Sequence, residues 1–148
     1  MKVVLQRVNK AQVIIKDKIF SQIGKGLLIF VGFERGDKQE DLLKMAQKIL
    51  NLRIFEDENK KMNLSALDIK AEILCVSEFT LCAQVYKGRR PSFHLSLEPQ
   101  TAERFYQDFI DILKSFGLRV EKGVFGEYMH ILLENAGPVT FILDSKEF

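Results

Sequence analysis

Tyr128-Met129-His130-Ile131-Leu132-Leu133-Glu134 leads into Asn135-Ala136-Gly137-Pro138, and the chain resumes as Val139-Thr140-Phe141-Ile142-Leu143. Apolar residues recur at strand spacing on both sides, which predicts strands over 128–134 and 139–144. Pro138 has no N–H to give to a sheet, so it belongs at a turn, a bulge or an edge. Gly137 lets the main chain approach another group with no side chain in between. An X-Pro bond is also the one peptide type that is cheaply held cis. Two readings of the pair stay open. One is an ordinary hairpin turn, the commonest use of such a dipeptide. The other is a recognition element built from backbone.

Working outward, the first third of the chain is rich in strands. Short apolar runs at 3–5, 11–15, 19–23 and 27–32 are separated by Lys16-Asp17-Lys18 and by Gly24-Lys25-Gly26. Asp37 followed three residues later by Glu40 has the form of a capping box and predicts a helix over 38–51. Strands are expected at 52–56, 71–77 and 118–121, with a turn at 57–60 and a polar loop from Gln84 to Leu97. The plainest helix runs from Pro99, suited to a first turn, to Phe116, with Gly117 ending it. Its apolar face is Ala102, Phe105, Phe109, Ile112, Leu113 and Phe116. Strands and helices do not alternate regularly, which argues against a doubly wound parallel sheet. The expected class is α/β of the α+β type: a mostly antiparallel or mixed sheet, curled into a barrel-like body, with two helices. No linker, repeat or low-complexity tract interrupts residues 1–148, so one domain is expected.

The chain has 148 residues, enough to bury a substantial core, and is 47% apolar and 28% charged, like an ordinary soluble protein. Twenty-two basic against twenty acidic side chains leave a net charge of +2, so any contact with nucleic acid must be local. No apolar run approaches the roughly 20 residues of a membrane helix. Gln6 and Arg7 interrupt the N-terminus where a signal peptide would be apolar. The expectation is a cytoplasmic protein with no membrane association. Cys75 and Cys82 lack metal-site spacing and have only His94 and His130 to join them, so no metal and no cofactor is expected.

Candidates for chemistry are few. Ser77 and Thr80 are hydroxyls at the end of the strand at 71–77. To act as nucleophiles they would need a base held by a third group, and only His94 and His130 could serve. Nothing supports a Ser/His/Asp triad. Glu78 lies between the hydroxyls with no partner acid at a defensible spacing. Lys87, Arg89 and Arg90 share one polar loop, either as solvated surface or as holders of phosphates. Phe93 could stack on an unpaired base. Arg7 alone reads as a surface arginine near a strand end.

Five segments in order resemble the D-aminoacyl-tRNA deacylase family. They are Leu5-Gln6-Arg7-Val8, Ser77-Glu78-Phe79-Thr80-Leu81, Lys87-Gly88-Arg89-Arg90-Pro91-Ser92-Phe93, Gly123-Val124-Phe125-Gly126 and Asn135-Ala136-Gly137-Pro138-Val139-Thr140. The family carries Ser-Gln-x-Thr-Leu and Asn-x-Gly-Pro-x-Thr motifs, so Glu78 stands where the family usually has Gln. The resemblance implies hydrolysis of the ester joining a D-amino acid, D-tyrosine for example, to the 3′-terminal adenosine of tRNA. It also brings into view glycyl-tRNA mischarged on tRNA-Ala. Ser77, Glu78, Phe79 and Thr80 become the catalytic segment, with backbone N–H groups of Phe79 and Thr80 facing the oxyanion and Thr80 positioning substrate. Gly137 and Pro138, joined by a cis peptide, would reject L-amino acids by inserting into the partner's pocket of a homodimer, with Arg7 fixing them. Lys87, Arg89, Arg90, Phe93 and Asn135 become substrate or tRNA contacts. The alternatives are a non-catalytic nucleic-acid-binding module of the same fold, or a deacylase of relaxed chirality.

Overall fold

A computed structural model describes all of residues 1–148. Its organising element is β1, Lys2–Ile15, one strand where two short ones are expected. The two runs merge because residues between them also find ladder partners, Val8 with Gly26 on one edge and Asn135 on the other. Lys16 and Asp17, both at positive φ, turn the chain into β2, Lys18–Ile23, which is followed by β3, Gly26–Gly32. β2 and β3 divide one antiparallel edge of β1 between them. Helix α1, Gln39–Asn51, comes next, then the small ribbon of β4, Phe55–Glu56, and β5, Met62–Leu64. β6, Glu72–Ser77, pairs parallel with β3. Helix α2, Pro99–Ser115, leads to β7, Val120–Lys122, parallel to β6. The last strand, β8, His130–Asp144, returns antiparallel along the free edge of β1.

The main sheet is therefore mixed, ordered β2-β1-β3-β6-β7, with β8 on β1. Its curl brings the two ends together. The Ser21 hydroxyl of β2 donates to the Lys122 carbonyl of β7 at 2.8 Å, and Arg119 donates to the Gln22 carbonyl at 3.3 Å. Inside the curl lie Val8, Ala11, Val13, Leu28, Leu74 and Val76. The other face carries the larger core, where Val3, Leu5, Ile29 and Ile73 meet both helices through Leu42, Met45, Ile49, Phe105, Phe109 and Leu113. The expected barrel-like class with two helices is what the chain adopts.

Several local expectations shift. The N-cap of α1 is Lys38, and the side chain receiving its N–H at 2.7 Å is that of Asp41. Asp37 is occupied elsewhere, by the Met1 ammonium and by the Glu34 N–H at 2.6 Å. A buried charge partner outweighs a cap. The expected strand at 52–56 shrinks to two residues, and β8 begins at His130 rather than at 128. At the end of α2 the expectation holds: Gly117 takes φ +81° and donates to the Lys114 carbonyl at 2.9 Å.

Close backbone approach between β3 and β6 requires a residue without a side chain. A Cβ on Gly26 would lie 1.8 Å from the Glu72 carbonyl oxygen. Gly26→Ala should cost about 1–3 kcal/mol or more, because main chain rather than a flexible side chain must yield. A urea unfolding midpoint equal to that of the parent would contradict this.

Both cysteines are free and buried. Burial raises the Cys75 thiol far above its ordinary range and pushes Cys82 up to about 11. In the unfolded chain such thiols ionise near 9.0, so folded protein holds protons that unfolded protein has released. The associated stability is intact below pH 9 and falls as pH rises from there towards 11. Native protein at pH 8 should leave a thiol reagent unreacted, and both cysteines should react in denaturant. Rapid native labelling would show that the β6 region opens readily.

Candidate active site

β6 ends at Ser77, and the next residues curl into a 3₁₀ turn, Phe79–Cys82. Two contacts fix the start of this turn. The Glu78 N–H donates to the Val31 carbonyl of β3 at 2.8 Å. Gly32 of β3 lies so close that a Cβ there would be 2.8 Å from the Glu78 carbonyl oxygen. The amides of Phe79 and Thr80 open the turn, where helical geometry provides no partner for them. The Thr80 hydroxyl donates to the Glu78 carboxylate.

This turn forms one wall of a cavity of about 900 Å³, within the usual range for small-molecule sites. Ser77, Glu78, Phe79, Thr80 and Phe93 all line it. The rings of Phe79 and Phe93 pack with centroids 4.9 Å apart, and Phe79 remains 56% exposed. Opposite walls come from Arg35, from the start of α2, and from Phe125 through Met129. Arg35 is engaged by Glu98 at 2.9 Å. Tyr128, 97% exposed, stands among the lining residues with no role anticipated from sequence. The signal that could have found it is an aromatic beside Gly126, a glycine at φ +76°.

No histidine lines the cavity. His94 is exposed and pairs with the Ser92 hydroxyl at 2.9 Å, while His130 is exposed on β8 opposite Ile14. Ser77 and Thr80 thus have no imidazole base beside them. Lys87, Arg89 and Arg90 lie in an exposed loop closed at its base by paired backbone bonds between Gln84 and Ser92. Phe93 follows that base directly, so the basic loop springs from the cavity rim.

The second group of expected site residues forms a separate cluster. Between the pairs Gln6–Thr140 and Val8–Asn135, one residue of β1, Arg7, faces four of β8: Ala136, Gly137, Pro138 and Val139. The Gly-Pro pair is therefore a bulge within one long strand, and the hairpin-turn reading is overturned. A bulge accommodates the missing Pro138 N–H without losing the ladder on either side. The Gly137–Pro138 peptide is cis, and both residues are exposed. Arg7 is not the surface residue that its sequence position suggests, being 8% exposed. Its Nε donates to the Ala136 carbonyl at 2.9 Å and its Nη1 to the Ile54 carbonyl at 2.7 Å. Asn135 donates across the bulge to the carbonyls of Arg7 and Val139 at 3.0 and 3.1 Å. Within one chain, none of Arg7, Asn135, Gly137 and Pro138 lines the cavity holding Thr80.

Arg7→Ala should cost roughly 1–3 kcal/mol, since it removes charge-assisted bonds to two carbonyls. Arg7→Lys should recover little of it, because a single ammonium cannot reproduce the guanidinium fork. Full rescue by lysine in thermal unfolding would refute this account of the bulge.

The family model described as D-Tyr-tRNA(Tyr) deacylase matches residues 4–144. The D-aminoacyl-tRNA deacylase of Aquifex aeolicus is 52% identical over 147 residues, covering 99% of each chain. That of Thermodesulfovibrio yellowstonii is 53% identical over 142 residues, covering 96% of this chain and 97% of its own. Among solved structures, a c-Myc DNA unwinding element binding protein superposes with a TM-score of 0.91 at 43% identity, covering 97% of this chain and 98% of its own. A probable eukaryotic D-amino acid tRNA deacylase superposes with a TM-score of 0.84 at 21% identity over 96% of this chain and 97% of its own, a likeness of fold. With a family model spanning almost the whole chain and full-length relatives at about half identity, this chain belongs to the D-Tyr-tRNA(Tyr) deacylase family.

Proposed function

We propose that this chain, acting as one domain over 1–148, hydrolyses the ester of D-aminoacyl-tRNA in the cytoplasm and releases free D-amino acid and tRNA. The observation that carries the reading is the 900 Å³ cavity walled by the Ser77–Thr80 segment, in a chain of this family. Water attacks the ester carbonyl, and the carbonyl oxygen becomes an oxyanion facing the Phe79 and Thr80 amides. Collapse then expels the ribose 3′-oxygen, which takes up the proton given up by the attacking water, relayed through the neighbouring ribose 2′-hydroxyl. Fixed N–H donors stabilise the charge that develops, and positioning in the cavity supplies the remaining advantage. The Thr80 hydroxyl, spent on Glu78, holds that wall in place. A carboxylate is too weak a base to keep threonine as an alkoxide, so an acyl-threonine is not required.

Selectivity in this reading comes from a second copy. The Gly137–Pro138 carbonyls of one protomer enter the cavity of its partner and occupy the space that an L side chain would need. Rejection by clash discriminates without loss of affinity for the correct substrate. Exposed Leu132 and Ile142 on β8, 51% and 78% accessible, give such a homodimer an apolar edge to bury. The Lys87, Arg89 and Arg90 loop meets tRNA phosphates, and Phe93 with Phe79 offers ring faces to the terminal adenine. Glycyl-tRNA mischarged on tRNA-Ala fits the same cavity, because glycine has no side chain to clash. A second reading, a nucleic-acid-binding module without turnover, takes its support from the likeness to the DNA unwinding element binding protein.

Purified protein should hydrolyse D-tyrosyl-tRNA and leave L-tyrosyl-tRNA almost untouched. Equal rates would favour relaxed chirality, and tight tRNA binding without turnover would favour the binding module. Thr80→Ala should retain substantial activity. A dead Thr80→Ala enzyme of unchanged affinity, with acyl-threonine trapped in the parent, would replace the water mechanism.

A further inference from the structure

We infer that the Glu78 carboxylate is a recognition group for the substrate's α-ammonium, an ionic contact made from the wall of the chain's own cavity. The inference rests on the deacylase reading and deepens it.

Charge balance in the cavity is the starting observation. Arg35 is the one cation among the lining residues, and it is already bound by Glu98 at 2.9 Å and by the Ser96 carbonyl at 3.4 Å. The chain's ion pairs engage Asp37, Glu34, Glu56, Glu72, Glu98, Glu121 and Glu134; of the two lining carboxylates that take part in none of them, Glu127 is exposed and Glu78 is half-buried. Its only side-chain partner is the Thr80 hydroxyl, which occupies Oε1 and leaves Oε2 free. A partly desolvated carboxylate without a counterion favours a cationic ligand, because ligand binding supplies the charge compensation that the protein withholds.

Geometry selects which cation. The Glu78 main chain is fixed at both ends, its N–H by Val31 at 2.8 Å and its carbonyl by the Leu81 N–H at 3.2 Å. Glu78 therefore lines the cavity from the same fixed turn whose next two amides face the oxyanion in the deacylase reading. In an aminoacyl ester the ammonium is attached to the carbon bonded to that reacting carbonyl. A carboxylate one and two residues from the oxyanion donors meets this spacing, whereas the adenosine end of the substrate carries no cation. The amino group has an ordinary pKa of about 7.7–8.0, so near pH 6 it is charged.

The test uses a non-hydrolysable probe, the D-tyrosyl amide of 3′-amino-3′-deoxyadenosine, and its N-acetyl derivative, titrated calorimetrically at pH 6. Acetylation should weaken binding to the parent protein by about fivefold or more, as loss of a charge-assisted contact does. In Glu78→Gln the same acetylation should cost less than about twofold, and in Glu78→Ala likewise. Thermal unfolding of each variant is read alongside, and the native backbone contacts of residue 78 do not involve the altered side chain. An acetylation penalty equal in parent and variants overturns the inference, as does failure of the parent to bind the free-amine probe. D-tyrosyl-tRNA hydrolysis is measured separately. Turnover with an unaltered penalty removes the ammonium site and leaves the deacylase reading standing. A Glu78-dependent penalty without turnover leaves the site and removes the deacylase reading.

Discussion

The backbone of β1 must be hydrogen-bonded on both edges, and nearly everything else in this chain follows from how that demand is met. A strand inside a sheet cannot leave N–H and C=O groups unpaired without loss. On one edge β2 and β3 share the work, and on the other β8 runs the full length. The long β1 then curls with the sheet until β2 reaches β7 through Ser21 and Arg119. The second edge is interrupted briefly at Asn9 and more widely at Arg7, where the side chain replaces the ladder by donating directly to Ala136. The bulge bearing Gly137 and Pro138 is thus held by a buried guanidinium that also ties it to Ile54 beyond α1.

The same sheet builds the cavity from its opposite side. β3 and β6 run parallel and end together, with Val31 opposite Ser77. Their close approach, which depends on Gly26 and Gly32 lacking side chains, sets where the 3₁₀ turn begins. Burial below the turn is complete at Cys75, and Tyr106 of α2 donates to the Cys75 carbonyl at 2.8 Å. A turn resting on such a floor presents its first two amides in a fixed direction, which preorganised charge stabilisation needs.

Two features then divide the labour. The cavity of one chain has the amides, the Thr80 hydroxyl and the Glu78 carboxylate on one wall, with aromatic faces at the mouth. The Gly137–Pro138 bulge lies outside it, exposed on an edge strand. Under the proposed function, chemistry and chiral selection fall on different surfaces of the same chain, and a symmetric pair of chains would join them. Net charge is nearly balanced, so the proposed attraction for tRNA would be local, as at the Lys87–Arg90 loop, rather than spread over the molecule.

Local sequence determined a good deal of this. Helix α2 was legible because Pro99, the apolar spacing from Ala102 to Leu113 and Gly117 each act within a few residues. The Ser77–Thr80 and Asn135–Thr140 motifs were legible as ordered strings, and Pro138 announced that something other than plain ladder occurs there. What tertiary structure alone decided involves partners far apart in the chain. Residues 6–10 joined two expected strands because Gly26 and Asn135 supply their ladder bonds. Asp37 lost its cap to the Met1 ammonium, and Arg7 went inside to reach carbonyls at 54 and 136. The turn reading failed at Gly137–Pro138 because a proline signals a break in hydrogen bonding without saying whether the chain reverses, and β1 holds both flanks on one line. At the far wall of the cavity Phe125 and Gly126 belonged to a family-like segment, but nothing local marked Tyr128 or Met129 as lining residues, since they meet the turn at Thr80 only after the sheet has curled.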